Sequence, residues 1–498
     1  MNYAIAVLDI GKTNKKIVIY DDQLNQIDSV YKSIPTIRYE DLDVEDAEGI
    51  ETWFYENLKT LGTKYNIRSL SISAHGATCA CVDAEGKLSV PVVAYTNEVP
   101  ETLHDEFYNE MGSVEELQQE TGTAQVKPLI NLAKLLYFIK KRFPSEYEKT
   151  DKVLMYAQYF AWRLTGQFAA DYTYTGCHSY LWDFKDWRWS GVAEKLGLLD
   201  KLPAEPGNPG DVLGTISPEV ADRTGLNPET QVTAGLHDSN SSLIPYLIKG
   251  EEDFILNSTG TWCVVMHPVK DYAFTEQELG KTVFYNISAR QELVKTAIFM
   301  GGLEFETYMT LLQSLNKTDA YPDFNRDIVQ KAIEKGTDFI VPGVVRGAGQ
   351  FPDSRPGVWE GETFYSLEDI QSGAKVPGFF SDFVYAHAVL NLSLAMQTAV
   401  ALERVSISDG SPIYIEGGFR NNDVYKRIIA DMYPASPVYT TSIKEASSYG
   451  AAISGKAALE GLNLEDLADL VKIEMNGVEL EKLIKLDDYR ISFTEKLV

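Results

Sequence analysis

The sequence predicts an α/β chain of two domains, each opening on the same strand–turn–strand unit. Three observations carry this. The 498 residues are long for one hydrophobic core and comfortable for two or three domains. A turn of small and polar residues stands between apolar, β-branched runs at Asp9-Ile10-Gly11-Lys12-Thr13-Asn14 and again at Ser258-Thr259-Gly260-Thr261. After each turn, helical and extended patterns alternate, as they do where helices cover a sheet.

Taken in order, strands are expected at residues 3–10, 16–20 and 26–33. A helix follows at 45–65, with Ile50, Phe54, Leu58 and Leu61 at helical spacing. A strand pair is expected to surround His75, at 70–73 and 78–82, and a helix to run over 129–143 and stop before Pro144. The strand at 231–235 leads into His237 and Asp238, and strands at 254–257 and 262–266 flank the second turn. Helices at 380–403, 422–432 and 445–460 and a strand at 412–416 complete the chain. A helix-like segment ends at Lys249-Gly250, which places the domains at 1–247 and 248–498.

Composition narrows the function. Apolar content of 44% with 23% charged residues is that of a soluble globular protein. No run approaches the ~18 consecutive apolar residues of a membrane span. The basic residues of the N-terminal segment follow its apolar run, the reverse of a secretion signal, so a cytoplasmic protein with no membrane partner is expected. A net charge of -27 disfavours nucleic acid. Cys79, Cys81, Cys177 and Cys263 form no CxxC pair and the six histidines are scattered, so buried free thiols are expected and not a zinc site. Cys79 and Cys81, two apart on a strand, would face the same side.

The first turn can aim amides, hydroxyls and a cation at a phosphate, with Asp9 reaching it through hydrated magnesium; taken alone, it favours a plain hairpin turn. The second turn has the same two readings. Glu416-Gly417-Gly418-Phe419-Arg420-Asn421 follows a strand and opens a helix, where paired glycines allow a flat ligand close to the backbone.

These turns, in this order, resemble those of the FGGY carbohydrate kinases, members of the actin, hexokinase and Hsp70 superfamily. The resemblance extends to His75-Gly76-Ala77, to Trp162-Arg163-Leu164-Thr165-Gly166 with Asp171, and to Gly235-Leu236-His237-Asp238. It continues through Trp262, Phe299-Met300-Gly301-Gly302, Glu445-Ala446 and Gly450-Ala451-Ala452. It implies two actin-like (ribonuclease H-like) ATPase domains with a nucleotide and sugar cleft between them. It also implies transfer of the ATP γ-phosphate, with Mg2+, to a small sugar; a homodimer is compatible with it.

By the same resemblance Asp238 is the catalytic base, the group that accepts the proton of the attacking hydroxyl. Asp9 is the magnesium-linked aspartate, with Asp238 also facing the metal through water. Thr13, Asn14 and Lys16 line the first phosphate turn, and Thr259, Gly260 and Thr261 the second. Gly302 and Glu306 belong to the ribose and base, and Gly418 and Asn421 to the adenine side. His75 and Gly76 are expected to contact the sugar. His237 either orients substrate or fills the strand end.

His237 before the base and Trp262 after the second turn resemble the fuculokinase and rhamnulokinase branch, hence a 6-deoxy-ketose phosphorylated at its primary hydroxyl. His75-Gly76-Ala77 resembles xylulokinases and keeps a pentulose or polyol open. A nucleotide-gated binding protein is the reading from another class. Two departures, Ala94-Tyr95-Thr96-Asn97-Glu98 and Gln158, fall where sugar recognition is expected. The acidic run Asp41, Asp43, Glu45 and Asp46 reads as a solvated helix start, and Trp182, Trp187 and Trp189 as packing.

Overall fold

The computed structural model describes residues 2–12, 14–126, 129, 131–249 and 252–497. In the first half, β1 (Ala4–Ile10), β2 (Asn14–Asp21) and β3 (Gln26–Ser33) form an antiparallel meander, with β4 (Ile67–Ala74) parallel to β1. β5 (Val212–Thr215) and β6 (Gln231–Thr233) extend the sheet to the order β5-β6-β4-β1-β2-β3. β1 is central and buried along its whole length, which is why it reads as an unbroken apolar run ending in one aspartate.

The second half repeats the plan. β7 (Ile255–Thr259) and β8 (Cys263–Val269) form the hairpin, and β9 (Val283–Ile287) and β10 (Leu293–Phe299) continue it antiparallel. β11 (Ile413–Gly417) runs parallel to β7, followed by β12 (Val438–Thr441) and β13 (Met475–Gly477), in the order β9-β10-β8-β7-β11-β12-β13. Apart from edge strands, both sheets therefore place a hairpin and a third antiparallel strand beside two parallel strands.

Helices α1 (Ala47–Gly62) and α2 (Tyr156–Thr165) cover the first sheet, and α4 (Gly301–Asn316), α5 (Phe383–Arg404) and α6 (Asp423–Met432) belong to the second. Between the sheets lie α3 (Asp238–Ile248) and α7 (Ala446–Glu460), packed side by side, with α7 also lying on β1 and β4. Their contact is close because Gly450 has no side chain: a Cβ there would stand 1.8 Å from the Ser241 carbonyl oxygen. A separate apolar cluster around Ile5, Val7, Leu243, Leu256, Tyr414 and Ala452 fills this joint.

Three expectations need correction. The strand after His75 does not pair with the one before it: Cys79–Val82 leaves the sheet and pairs with Lys152–Met155, after a bend in which Ala77 adopts a φ of 58°. The helix expected at 45–65 starts later, capped by Asp46, so Glu45 precedes it. The helix at 129–143 is Leu132–Arg142. α5 is long and apolar enough to cross a membrane, but 83% of its most apolar window is buried inside the second half. All four cysteines are buried free thiols.

Candidate active site

Asp238 is the first residue of α3, and the strand end before it is held from below. Gln158 donates to the carbonyls of Ala234 and Gly235 at 3.0 Å each and to Asp171 Oδ1 at 3.1 Å. Asp171 accepts from the Thr173 amide at 2.8 Å, and the Thr173 hydroxyl in turn accepts the His237 amide at 3.1 Å. Gln158 is thus a buried support of the loop, and not a sugar contact as its place in the sequence suggested. The Ser239 amide donates to Asp238 Oδ1 at 2.6 Å and to His237 Nδ1 at 3.3 Å, so the histidine caps the helix that begins with the aspartate.

The Asp238 side chain remains 32% exposed at the cleft but is walled on its other sides. Burial pushes its carboxyl up to about 6, His75 opposes the shift and the neighbouring Asp9 adds to it. Burial drives His237 down to about 3, so it is neutral.

Asp9 ends β1. Its Oδ2 accepts from the hydroxyls of Ser447 at 2.7 Å and Ser448 at 2.6 Å, both in the first turn of α7. Lys16 lies 3.7 Å from the same oxygen and donates to Glu445 at 2.5 Å. Burial lowers the Lys16 charge affinity, but Asp9 and Glu445 outweigh it and raise its pKa. The buried Lys15 ammonium bonds the carbonyls of Gly11 at 3.0 Å and Lys12 at 2.9 Å, turning those acceptors inward. Asn14 is exposed at the start of β2. Thr13 lies outside the described residues.

His75 directly follows β4 and is 5% exposed, its ring between Tyr95 at 5.8 Å and Tyr156 at 5.3 Å. Nδ1 meets the Gly76 carbonyl at 3.1 Å, which assigns the proton to Nδ1; Nε2 and the Tyr156 hydroxyl are buried without a hydrogen-bond partner. Burial lowers the His75 pKa, against the pull of Glu45. Glu45 is only 4% exposed and pairs with Lys12, which lies 5.1 Å over the Tyr95 ring. The acidic run is therefore not all solvated: Asp41 is exposed and Asp46 caps α1, but Glu45 is folded inward. Of the departing segment, Tyr95 packs against His75, whereas Asn97 ties its own loop to Asp43 and Ala94.

On the opposite side, Gly260 and Thr261 are exposed in the turn between β7 and β8. Thr259 is not: its hydroxyl is spent on the Glu416 carbonyl and on the Phe419 amide at 2.9 Å, stapling the second hairpin to the glycine turn. Gly302 abuts the hairpin, where a Cβ would stand 1.9 Å from the Gly260 carbonyl oxygen. Glu306 is exposed one turn along α4. Gly418 and Asn421 are exposed on a short 3-10 helix, beside Phe419, which packs edge-on to Phe305 at 5.5 Å. Sequence reasoning had not singled out Phe305 or Tyr156, and had read Glu45 as solvated. Trp182, Trp187 and Trp189 pack with one another and with Tyr172.

Residues 4–245 match the FGGY family of carbohydrate kinases, N-terminal domain, and residues 251–461 match carbohydrate kinase FGGY, C-terminal domain. On two repeated sheets with a carboxylate at their joint, these matches define a sugar kinase, a phosphotransferase with an alcohol group as acceptor. The chain belongs to the FGGY family of carbohydrate kinases.

It is 22% identical to an L-fuculokinase of Escherichia coli (strain K12) over 473 residues, 91% of each chain. It is 26% identical to an L-fuculokinase of Salmonella typhi over 277 residues, and 26% identical to a rhamnulokinase of Halalkalibacterium halodurans over 280. Each of the latter two matches covers 53% of this chain and spans about half, 56%, of the relative. A solved carbohydrate kinase from Novosphingobium aromaticivorans superposes with a TM-score of 0.79 at 25% identity, covering 100% of this chain and 98% of the other. A ligand-bound xylulose kinase from Lactobacillus acidophilus superposes at 0.81 with 17% identity, covering 99% and 96%.

Proposed function

We propose that the protein transfers the γ-phosphate of ATP to the primary hydroxyl of a 6-deoxy-ketose such as L-fuculose or L-rhamnulose. The observation that carries the reading is Asp238, poised at a helix start with a carboxyl at about 6, with the unpartnered His75 Nε2 in the same electrostatic neighbourhood. A carboxylate of that basicity is ionised at neutral pH and can take the sugar proton as the O–P bond forms. His75 Nε2, an acceptor, meets a sugar hydroxyl that donates. Asp9 and Asp238 offer hard carboxylate oxygens, the donor type magnesium takes, and their mutual repulsion suits a cation between them. When bound, Mg2+ neutralises charge on the transferring phosphate.

Asn14, Gly260 and Thr261 present donors to the phosphates, with Lys16 held near them by Glu445. Gly302, Glu306, Gly418 and Asn421 with Phe305 take the nucleoside. Gly76 fixes His75 through its carbonyl, which faces His75 Nδ1. His237 positions Asp238 through its cap on α3. The 6-deoxy-ketose follows from what the L-fuculokinase and rhamnulokinase relatives are named for; His75-Gly76-Ala77 favours a pentulose as second reading.

Sugar-dependent ADP release over a panel of ketoses, aldoses and polyols tests both levels. The highest kcat/KM is expected with L-fuculose or L-rhamnulose. A maximum with a pentulose overturns the substrate, and no sugar-dependent release overturns the kinase.

A further inference from the structure

Beside the base, Cys177 and His178, which phosphoryl transfer does not use, meet the His237 that caps α3. Cys177, His178 and His237 each offer one ligand atom, and the three atoms lie within 4.8 Å of one another. Cys177 Sγ is 3.6 Å from His237 Nε2. A tetrahedral zinc with Zn–S of ~2.3 Å and Zn–N of ~2.0–2.1 Å sets sulfur and nitrogen about 3.6 Å apart, so this pair needs no rearrangement.

The histidines converge on one point. A Cβ on Gly76 would stand 2.5 Å from His237 Nε2 and 2.9 Å from His178 Nε2. The space between the two nitrogens is therefore kept open only because residue 76 is glycine. His178 is brought there by a φ of 40°, a backbone conformation that non-glycine residues seldom adopt and that clusters at functional positions. His178 is partly exposed while Cys177 and His237 are buried, so the cluster reaches solvent on the His178 side.

We infer that Cys177, His178 and His237 form a site for a soft or borderline dication such as Zn2+, and that its occupancy silences the base at Asp238. Ligand softness separates it from the magnesium position: thiolate and imidazole suit zinc, whereas magnesium takes oxygen. Binding converts the Cys177 thiol to thiolate and releases its proton to solvent.

The coupling runs through His237. Without metal, its Nδ1 accepts the Ser239 amide, so its proton is on Nε2. A metal on Nε2 moves that proton to Nδ1, which gives up the Ser239 amide, still bonded to Asp238 Oδ1, and turns donor toward that oxygen 3.5 Å away. The result is the metal–histidine–carboxylate arrangement common around zinc. Asp238 then accepts a hydrogen bond from His237 and is withdrawn from the sugar hydroxyl.

The test titrates the intact protein with Co2+ as a spectroscopic probe and with Zn2+ in kinase assays at excess Mg2+. Wild type is expected to show thiolate-to-cobalt charge-transfer absorption and to lose turnover with Zn2+, recovering when a zinc-selective chelator is added. Cys177→Ala should retain turnover without zinc, lose the band, and weaken Zn2+ binding by more than the roughly 10- to 100-fold that losing an outer-shell partner costs. His178→Asn should behave likewise in the cobalt titration. No band in wild type, a band that persists in Cys177→Ala, or zinc inhibition that survives in Cys177→Ala overturns the inference. The spectrum needs no turnover, so a failure of the sugar-kinase reading leaves it independently readable.

Discussion

Replacing His75 isolates sugar recognition from phosphate chemistry. Its Nδ1 proton is committed to the Gly76 carbonyl, so the side chain has one free valence, the buried Nε2. His75→Ala removes that acceptor and leaves one buried sugar hydroxyl unpaired, a cost of ~1–3 kcal/mol. Sugar affinity should fall by about one to two orders of magnitude. ATP affinity should hold, because the exposed donors of the second hairpin belong to the other half. His75→Asn restores only a donor near the Nδ1 position and should lose sugar as alanine does. His75→Gln reaches further and should recover part of the affinity. Calorimetry with sugar and with a non-hydrolysable ATP analogue reads both, with thermal denaturation as a check on the packing against Tyr95 and Tyr156. Equal loss of ATP and sugar affinity, no loss of either, or asparagine matching wild type would refute the assignment.

Other expectations follow from the same geometry. With the Asp238 carboxyl at about 6 and the ionised form as base, kcat/KM should drop below pH about 6 and level off above it; a flat profile from 5 to 8 contradicts this. Gly450→Ala places a methyl against the Ser241 carbonyl. Overpacking of ~1–3 kcal/mol outweighs a helix-propensity gain of at most about 1 kcal/mol, so the urea midpoint should fall, not rise. Burial raises Asp171 from 3.8 to about 7, so the folded state holds a proton that the unfolded state has lost between those values. That group's contribution to stability declines as pH rises through the window, and in Asp171→Asn the decline should be absent. The two halves should close when sugar and nucleotide bind together, reducing the radius of gyration in small-angle scattering; identical compactness with and without both ligands counts against closure.

The repeated sheets were legible because each depends on local signals: an apolar run, a small-residue turn and a second apolar run. Asp9, His75 and Asp238 were legible as strand-end residues inside short motifs. What the sequence hid depends on pairing across distance. Glu45 looks like one more acid in a solvated run, and only its partner Lys12 in the first hairpin shows why it is buried. Gln158 stands where a substrate contact was expected, but its partners are carbonyls at Ala234 and Gly235 and a carboxylate at Asp171. The second strand after His75 was mispaired because alternation does not name a partner, and a left-handed Ala77 turned the chain away. Cys177 and His178 lie some 60 residues from His237, so no ligand spacing could announce the cluster.

The central claim is that Asp238 is the base. Asp238→Asn keeps the side chain's shape and its acceptor for the Ser239 amide while removing its basicity, so the fold and the nucleotide site should survive. Sugar-dependent turnover, measured under saturating ATP and Mg2+ alongside nucleotide affinity, should fall by roughly 10²-fold or more with nucleotide affinity unchanged. A folded Asp238→Asn protein that turns over sugar near the wild-type rate would contradict the account.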